Sequence, residues 1–461
     1  MPDAFLARAP HDATPIETVP APDFATWLAR QPAPVRRWIE PTGFTGAPGD
    51  FCLVPGPGGA LDRVVLATGT ETLWDFAALP RDLPGGAYRL ATKLDRRAAT
   101  DAALGWALGG YRFARYRAPA ERTPAQLVWP AGCDRDAATR TAEAIFLVRD
   151  LINTPAADMG PAELAAAARH LGKAHKARVT VTTGAALAKA NYPALLAVGG
   201  GSARAPRLID LRWGPAKAPR VTLVGKGVCF DSGGLDLKPP AGMKLMKKDM
   251  GGGAHVLGLA AMVMAAKLPI RLRVLIPAVE NMPSGSAFRP LDVIRMRNGL
   301  TVEVGDTDAE GRLVLADALA EASREKPDLL IDFATLTGAA RAALGTELPA
   351  LFCNDDRLAA EFLDHGAAAG DPLWRLPLWG PYRRMLDSRI ADLSSTGTGP
   401  YGGAITAALF LESFVGAGIP WAHIDLMAWN VATRPGRPEG GEAMALRAAF
   451  ALIAGRHGKG R

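Results

Sequence analysis

From Pro155 to Phe333 short apolar runs alternate with helix-length segments, and this alternation constrains the fold more than any other feature of the chain. A helix-like Ala162–Leu171 is followed by the alternating strand Val179-Thr180-Val181, and Leu208–Leu211 and Val221–Val224 read as buried strands. Val256, Leu259, Val263 and Met264 fall on one face of a helix, and Leu272, Val274 and Ile276 alternate as a strand. Leu315, Leu319 and Ala322 mark another helix, and Leu329–Phe333 a further buried strand. Strands that alternate with helices predict a mostly parallel mixed sheet flanked by helices. In such sheets the chemistry collects in loops leaving the strand C-termini.

Ahead of this region the pattern is weaker. The first 40 or so residues are rich in Pro and Ala and read as extended or loosely packed. Phe51–Val54 and Arg63–Ala67 are strand-like, Ala99–Leu108 is helical, and the polar stretch Ala118–Pro130 suits the edge of a small α/β domain. Residues 137–151 carry apolar positions at helical spacing. A chain of 461 residues exceeds one ordinary core. The division expected is a smaller N-terminal α/β domain over 1–135, a linking helix over 136–155 and a larger domain over 156–461.

Composition removes several classes. Hydrophobic residues are 49% and charged residues 21%, which is globular rather than disordered. The net charge of +7 is small for this length, with no run of five or six like charges and no basic stripe interleaved with aromatics. Nucleic acid is therefore not the expected partner. Cys52, Cys133, Cys229 and Cys353 form no CxxC pair, which argues against a disulfide framework and a thiolate zinc site. Met1-Pro2-Asp3-Ala4-Phe5 shows no secretory pattern and no run has the length of a membrane span, so a soluble cytoplasmic protein is expected.

Three segments carry residues suited to chemistry. In Val224–Pro239 a strand delivers Lys226, and glycines let the backbone pass close to something bulky or charged. The order GxxxxGK[ST] is absent, which disfavours a phosphate loop. In Met243–Gly253, Asp249 precedes three glycines and a helix, where an acid taken alone is better read as an N-cap than as a ligand. In Asp306–Arg312 three acids fall within five residues, and an extended backbone would aim Asp308 and Glu310 the same way. Such crowding is tolerated where a cation is held. The seven histidines are scattered and HExxH is absent. His255, on the predicted helix, reads as structural, and Ser232 has neither a GxSxG frame nor a partner histidine. An oxygen-rich site of this kind suits Mn, Mg or Zn.

Asp306–Leu313 resembles the NTDAEGRL signature of the leucyl aminopeptidase (cytosol aminopeptidase) family. Val224–Gly258 resembles its lysine/aspartate metal loop, Ala334–Ala339 its TLTGA segment, Arg149–Pro155 the opening of its catalytic domain, and Trp421–Asp425 a segment near its end. The match runs from about Gly105 onward. The resemblance implies that Lys226, Asp231, Asp249, Asp308 and Glu310 hold two divalent ions per subunit, Mn or Zn or else Mg, with Asp231 and Glu310 bridging both. It further implies that a water acidified by the ions attacks the scissile carbonyl of a peptide's N-terminal residue, whose α-amine one ion holds. By the same resemblance Lys238 stabilises the tetrahedral intermediate and Arg312 anchors a bicarbonate acting as general base. Met246, Thr335, Gly338 and Met427 would wall the side-chain pocket. A macro-like N-terminal domain and a homohexamer are implied as well.

Two departures leave alternatives open. The signature's first residue is usually Asn. Asp306 stands there, either as an extra charge beside the metals or as a hydrogen-bonded loop acid. Where HLDIAG is usual the chain reads His423–Asn430, and Met427 either narrows the side-chain pocket or packs inside the domain. The mild positive charge keeps a DNA-binding or regulatory protein on the same scaffold as the alternative class.

Overall fold

The computed structural model describes residues 4–70, 72–117 and 123–458. The chain forms two compact units, Met1–Phe146 with Ala432–Glu439, and Leu147–Val431 with Gly440–Arg461. The first holds six strands: β1 (Phe5–Leu6), β2 (Thr14–Pro20), β3 (Phe51–Pro55), β4 (Leu61–Thr68), β5 (Gly86–Leu90) and β6 (Ala125–Val128). They lie in the order β1-β6-β5-β2-β4-β3, with only β3 antiparallel to its neighbour. The helix Arg96–Gly109 opens on Asp95, whose carboxylate accepts the Ala98 N–H.

Two expectations fail in this unit. Of the first 40 residues, read as extended or loosely packed, Thr14–Pro20 is extended but not loosely packed, because it is an interior strand between β5 and β4. Its buried side chains, Ile16 and Val19, are three apart, so period-2 alternation is absent and the prolines dominate the reading. Ala118–Pro130 is not an edge either. Ala125–Val128 is paired on both sides, and residues 118–122 of that stretch lie outside the described residues, as do Met1–Asp3.

The second unit is built on a nine-stranded sheet. Its strands are β7 (Arg178–Thr183), β8 (Arg207–Trp213), β9 (Arg220–Gly225), β10 (Gly227–Asp231), β11 (Arg271–Asn281), β14 (Leu329–Ala334), β15 (Ala350–Cys353), β16 (Trp374–Arg375) and β18 (Trp421–Asp425). A three-stranded sheet holds β12 (Val293–Arg295), β13 (Thr301–Glu303) and β17 (Leu393–Ser394). The large sheet runs β16-β15-β18-β14-β9-β11-β8-β7, with β10 beside the end of β11. The neighbours β18, β14, β9, β11 and β10 are mutually parallel, so the C-termini of these strands share one edge. The fold expected from the alternation is the fold observed.

Two periodicities differ from expectation for one reason. β11 is buried along Leu272–Asn281 rather than on alternate residues. The Gly251–Ala265 helix is buried on nearly every side, not along one stripe. That helix packs on β9 and β14 and against the Pro161–His175 and Leu446–His457 helices, so no face is left for water. Val224 on β9 joins the core formed with the Glu310–Ser323 helix, while its neighbour Gly225 meets the Gly251–Ala265 helix. Helices therefore cover both faces. Among the described residues no helix is long and apolar enough to cross a membrane.

His255 shows what full burial demands of a polar side chain. Its Nδ1 lies 2.6 Å from the Gly251 carbonyl and its Nε2 accepts the Met444 N–H at 2.9 Å, which fixes a neutral ring protonated on Nδ1. Burial pushes its pKa from 6.5 down to about 4. Between those values the unfolded chain binds a proton that the folded one excludes, so acid removes stability, by about 3 kcal/mol in all. Urea unfolding of wild type and His255→Gln at pH 7 and pH 4 checks this. The variant is expected to start less stable and to lose about 3 kcal/mol less on acidification.

Candidate metal centre

Lys226 is the first residue after β9, and it is held by its own backbone. Its N–H donates to the Phe333 carbonyl at 2.9 Å, and its carbonyl accepts the Gly253 N–H at 2.7 Å. This closeness explains a glycine: a Cβ on Gly252 would lie 2.0 Å from the Phe333 oxygen. The Lys226 side chain then runs through buried space to Asp249 Oδ2 (2.7 Å) and Glu310 Oε1 (3.0 Å). Gly311 makes room for it, since a Cβ there would stand 2.4 Å from Lys226 Cε.

Four carboxylates converge around it. Asp231 ends β10, and its Oδ1 accepts from the Gly233 N–H and the Asn281 Nδ2, each at 2.9 Å. Asp249 sits in the 3-10 turn Met246–Met250, where its Oδ1 accepts the Thr335 hydroxyl at 2.7 Å. It is not an N-cap, because the following helix begins on Met250 with no side-chain cap. Asp308 and Glu310 converge by a different route from the extended one expected. Asp308 lies in the 3-10 turn Thr307–Ala309, and Glu310 is the first residue of the Glu310–Ser323 helix. Ligand oxygens of Asp231, Asp308 and Glu310 lie within 4.8 Å of one another.

The charges show how unusual this grouping is. Asp231, Asp249, Asp308 and Glu310 face two ammoniums, those of Lys226 and Lys238, the latter 2.9 Å from Asp231 Oδ2 and in contact with Asp308. Burial, reinforced by Asp231, pushes Asp308 up to about 6 and Glu310 well above the carboxylate range. Burial also opposes the charge on Lys226, but Asp249, Glu310 and Asp231 outweigh it and hold the amine protonated. Asp249 stays below its ordinary range, because Lys226 and Lys248 overcome its burial. Glu310 Oε2 finds no hydrogen-bond partner among the described residues. A buried carboxylate oxygen without a donor costs about 1–3 kcal/mol or more. A set of hard oxygens with spare lone pairs and unbalanced negative charge fits divalent cations.

The remaining expected residues line a cavity of about 510 Å³ that opens onto these carboxylates. Met246, Thr335, Gly338 and Met427 are all on its wall, so Met427 is not simply packed inside the domain. Arg312 also lines it, tied through one guanidinium nitrogen to the Ser395 carbonyl at 2.7 Å. Asp306 accepts the Asp308 N–H at 2.7 Å and so caps the ligand turn. Asp306 is thus hydrogen-bonded, as one reading had it, and on the same cavity wall its charge also opposes that of Asp308, so the extra-charge reading stands beside it.

Several residues of the site went unread in the sequence. Asn281, at the end of β11, bridges Asp231 to the Thr307 carbonyl (3.0 Å). Asp425 accepts from the N–H groups of Leu336 and Thr337 and from the Thr337 hydroxyl, which shapes the loop after β14. Lys248 and Arg341 also line the cavity. Position at a strand C-terminus was the available signal for Asn281 and Asp425. Nothing local marks the other two.

An α/β sheet that gathers acids at its C-terminal edge, beneath an open cavity and with lysines among them, defines the class of metal-dependent hydrolases. The pattern described as "Cytosol aminopeptidase family, catalytic domain" matches residues 146–450, and "M17 aminopeptidase, N-terminal domain" matches residues 14–130. A probable cytosol aminopeptidase of Streptomyces avermitilis is 40% identical over 448 residues, covering 89% of this chain and 87% of that one. The crystal structure of a cytosol aminopeptidase from Coxiella burnetii superposes with a TM-score of 0.94 at 50% identity, over 98% of this chain and 99% of that one. The bottromycin maturation enzyme BotP in complex with Mn follows at 0.86 and 37% identity, over 96% and 99%. The chain belongs to the cytosol aminopeptidase family, and is a metal-dependent aminopeptidase.

The close approach at Gly311 is testable without touching a carboxylate. Gly311→Ala is expected to displace the Lys226 amine and weaken binding of Mn(II) about tenfold or more, as disturbed ligand positioning does. Titration calorimetry on the metal-stripped protein measures it, with thermal unfolding as the control for folding.

Proposed function

We propose that this aminopeptidase holds two divalent cations on Lys226, Asp231, Asp249, Asp308 and Glu310, and removes the N-terminal residue from peptides. The observation that carries the reading is the set Asp231, Asp308 and Glu310 within 4.8 Å, two of them buried and Asp308 half-buried, with Glu310 Oε2 lacking a partner among the described residues. The four carboxylates offset the charge of two dications, and Lys226 would contribute a neutral amine once two dications replace its proton. The manganese complex of the bottromycin maturation enzyme supports Mn as the native metal, with Zn or Mg as alternatives.

When bound, the cations supply Lewis acidity towards the scissile carbonyl and lower the pKa of a water. The chain's own residues do the rest. The Lys238 ammonium, held between Asp231 and Asp308 at the cavity wall, stabilises negative charge that develops on the carbonyl oxygen. Arg312 keeps one nitrogen on Ser395, and its Nε lacks a hydrogen-bond partner among the described residues. A planar guanidinium so placed suits a bicarbonate that accepts the proton from the attacking water. Asn281 and Thr335 hold Asp231 and Asp249 in orientation, which keeps the ligand oxygens in place through turnover. We read the protein as a cytoplasmic homohexamer by family resemblance, which light scattering of the purified protein checks.

Chelation is expected to abolish hydrolysis of leucine p-nitroanilide, and Mn(II) or Zn(II) to restore it. Asp308→Asn is expected to lower kcat/KM at least 100-fold and to reduce the metal stoichiometry below two per chain. Wild-type turnover in that variant would remove the assignment. A salt-dependent shift of duplex DNA in place of peptide hydrolysis would favour the regulatory alternative.

A further inference from the structure

Two of the cations on the cavity wall are unlike the rest. Lys226 faces Asp249 and Glu310, Lys238 faces Asp231 and Asp308, and Arg312 holds the Ser395 carbonyl. Lys248 is 95% buried, yet its ammonium has neither an ion pair nor a hydrogen bond among the described residues. Arg341, in the Gly338–Leu344 helix, is exposed on the cavity wall and makes no ion pair among the described residues, and its side chain's polar contact is the Met427 Sδ, 3.7 Å from Nη1.

Asp249 and Asp425 stand near Lys248, but Asp249 gives one oxygen to Thr335 and the other to Lys226, and both oxygens of Asp425 accept from Leu336 and Thr337. Neither acid forms an ion pair with Lys248 or Arg341, so a ligand's carboxylate would be a direct partner for both cations. Arg341 adds geometry, because its permanent charge and planar fork match a carboxylate through two parallel hydrogen bonds. Met427 lies against that guanidinium on the same cavity wall.

We infer that Arg341, seconded by Lys248 and backed by Met427, makes this pocket a receptor for an acidic side chain, so that peptides beginning with Glu or Asp are preferred substrates. The inference rests on the aminopeptidase reading of the same site and names its substrate class.

The test uses the Mn-loaded enzyme with p-nitroanilides of Glu, Asp, Gln and Leu, which carry no downstream carboxylate. Glu and Gln are nearly isosteric, so their kcat/KM ratio isolates the charge. The wild type is expected to favour Glu over Gln at least tenfold. Arg341→Met is expected to bring the ratio near one, Arg341→Lys to keep part of it, and Lys248→Met to lower it less than Arg341→Met does. A wild-type ratio at or below one overturns the inference, as does an Arg341→Met variant that loses Glu and Gln turnover equally. An effect of Arg341→Met seen only with dipeptides bearing a free C-terminal carboxylate also overturns it. Leucine turnover is the separate reference: if it is present while the Glu preference is absent, only this inference fails. If none of the four reporters is cleaved, the functional reading fails with it.

Discussion

Four carboxylates brought together inside a protein repel one another and lose their water, and most of the second unit is arranged to make that tolerable. Asp231, Asp249 and the pair Asp308 and Glu310 reach one point from three separate segments. Each is tied down by a neighbour that does no chemistry itself: Asn281 for Asp231, Thr335 for Asp249, the Asp306-capped turn for Asp308, and a helix start for Glu310. The helix start contributes twice, since its N-terminal dipole favours the negative charge placed there.

The parallel sheet is what makes such convergence affordable. Because β9, β10, β11, β14 and β18 share a direction, their C-terminal loops meet along one edge. Short side chains then reach a common centre without strained backbone. The glycines belong to the same design. Gly252 lets the helix backbone touch β14, and Gly311 leaves a channel for the Lys226 stem. Both are places where a single methyl group would collide with the chain around Lys226.

The same edge divides the cavity's cations by use. Lys226 and Lys238 are balanced by the ligand acids, and Arg312 is moored on backbone. Lys248 and Arg341 make no ion pair among the described residues, and they line the same cavity. The residues proposed for metal binding and catalysis are thus paired within the protein, while the two cations proposed to receive a substrate side chain are not.

Much was legible in the sequence because it is local or motif-borne. The alternation of strands and helices after Pro155 specifies a parallel sheet, since a parallel pair needs a crossover. The acids of Asp306–Arg312 and the Lys226 loop announce a cation site by their crowding. Other features were hidden because they depend on what lies beside a segment. Thr14–Pro20 is an interior strand only because β4 and β5 flank it, and its prolines conceal this. The Gly251–Ala265 helix lost its stripe because both sides are covered. Asp249 reads as a cap until Lys226 and Thr335, 23 and 86 positions away, are placed against it. Composition and order determined which groups the chain could bring to a site. Only the tertiary structure decided which of them found counter-charges, because a charge's partner is set by proximity in space and not by spacing along the chain.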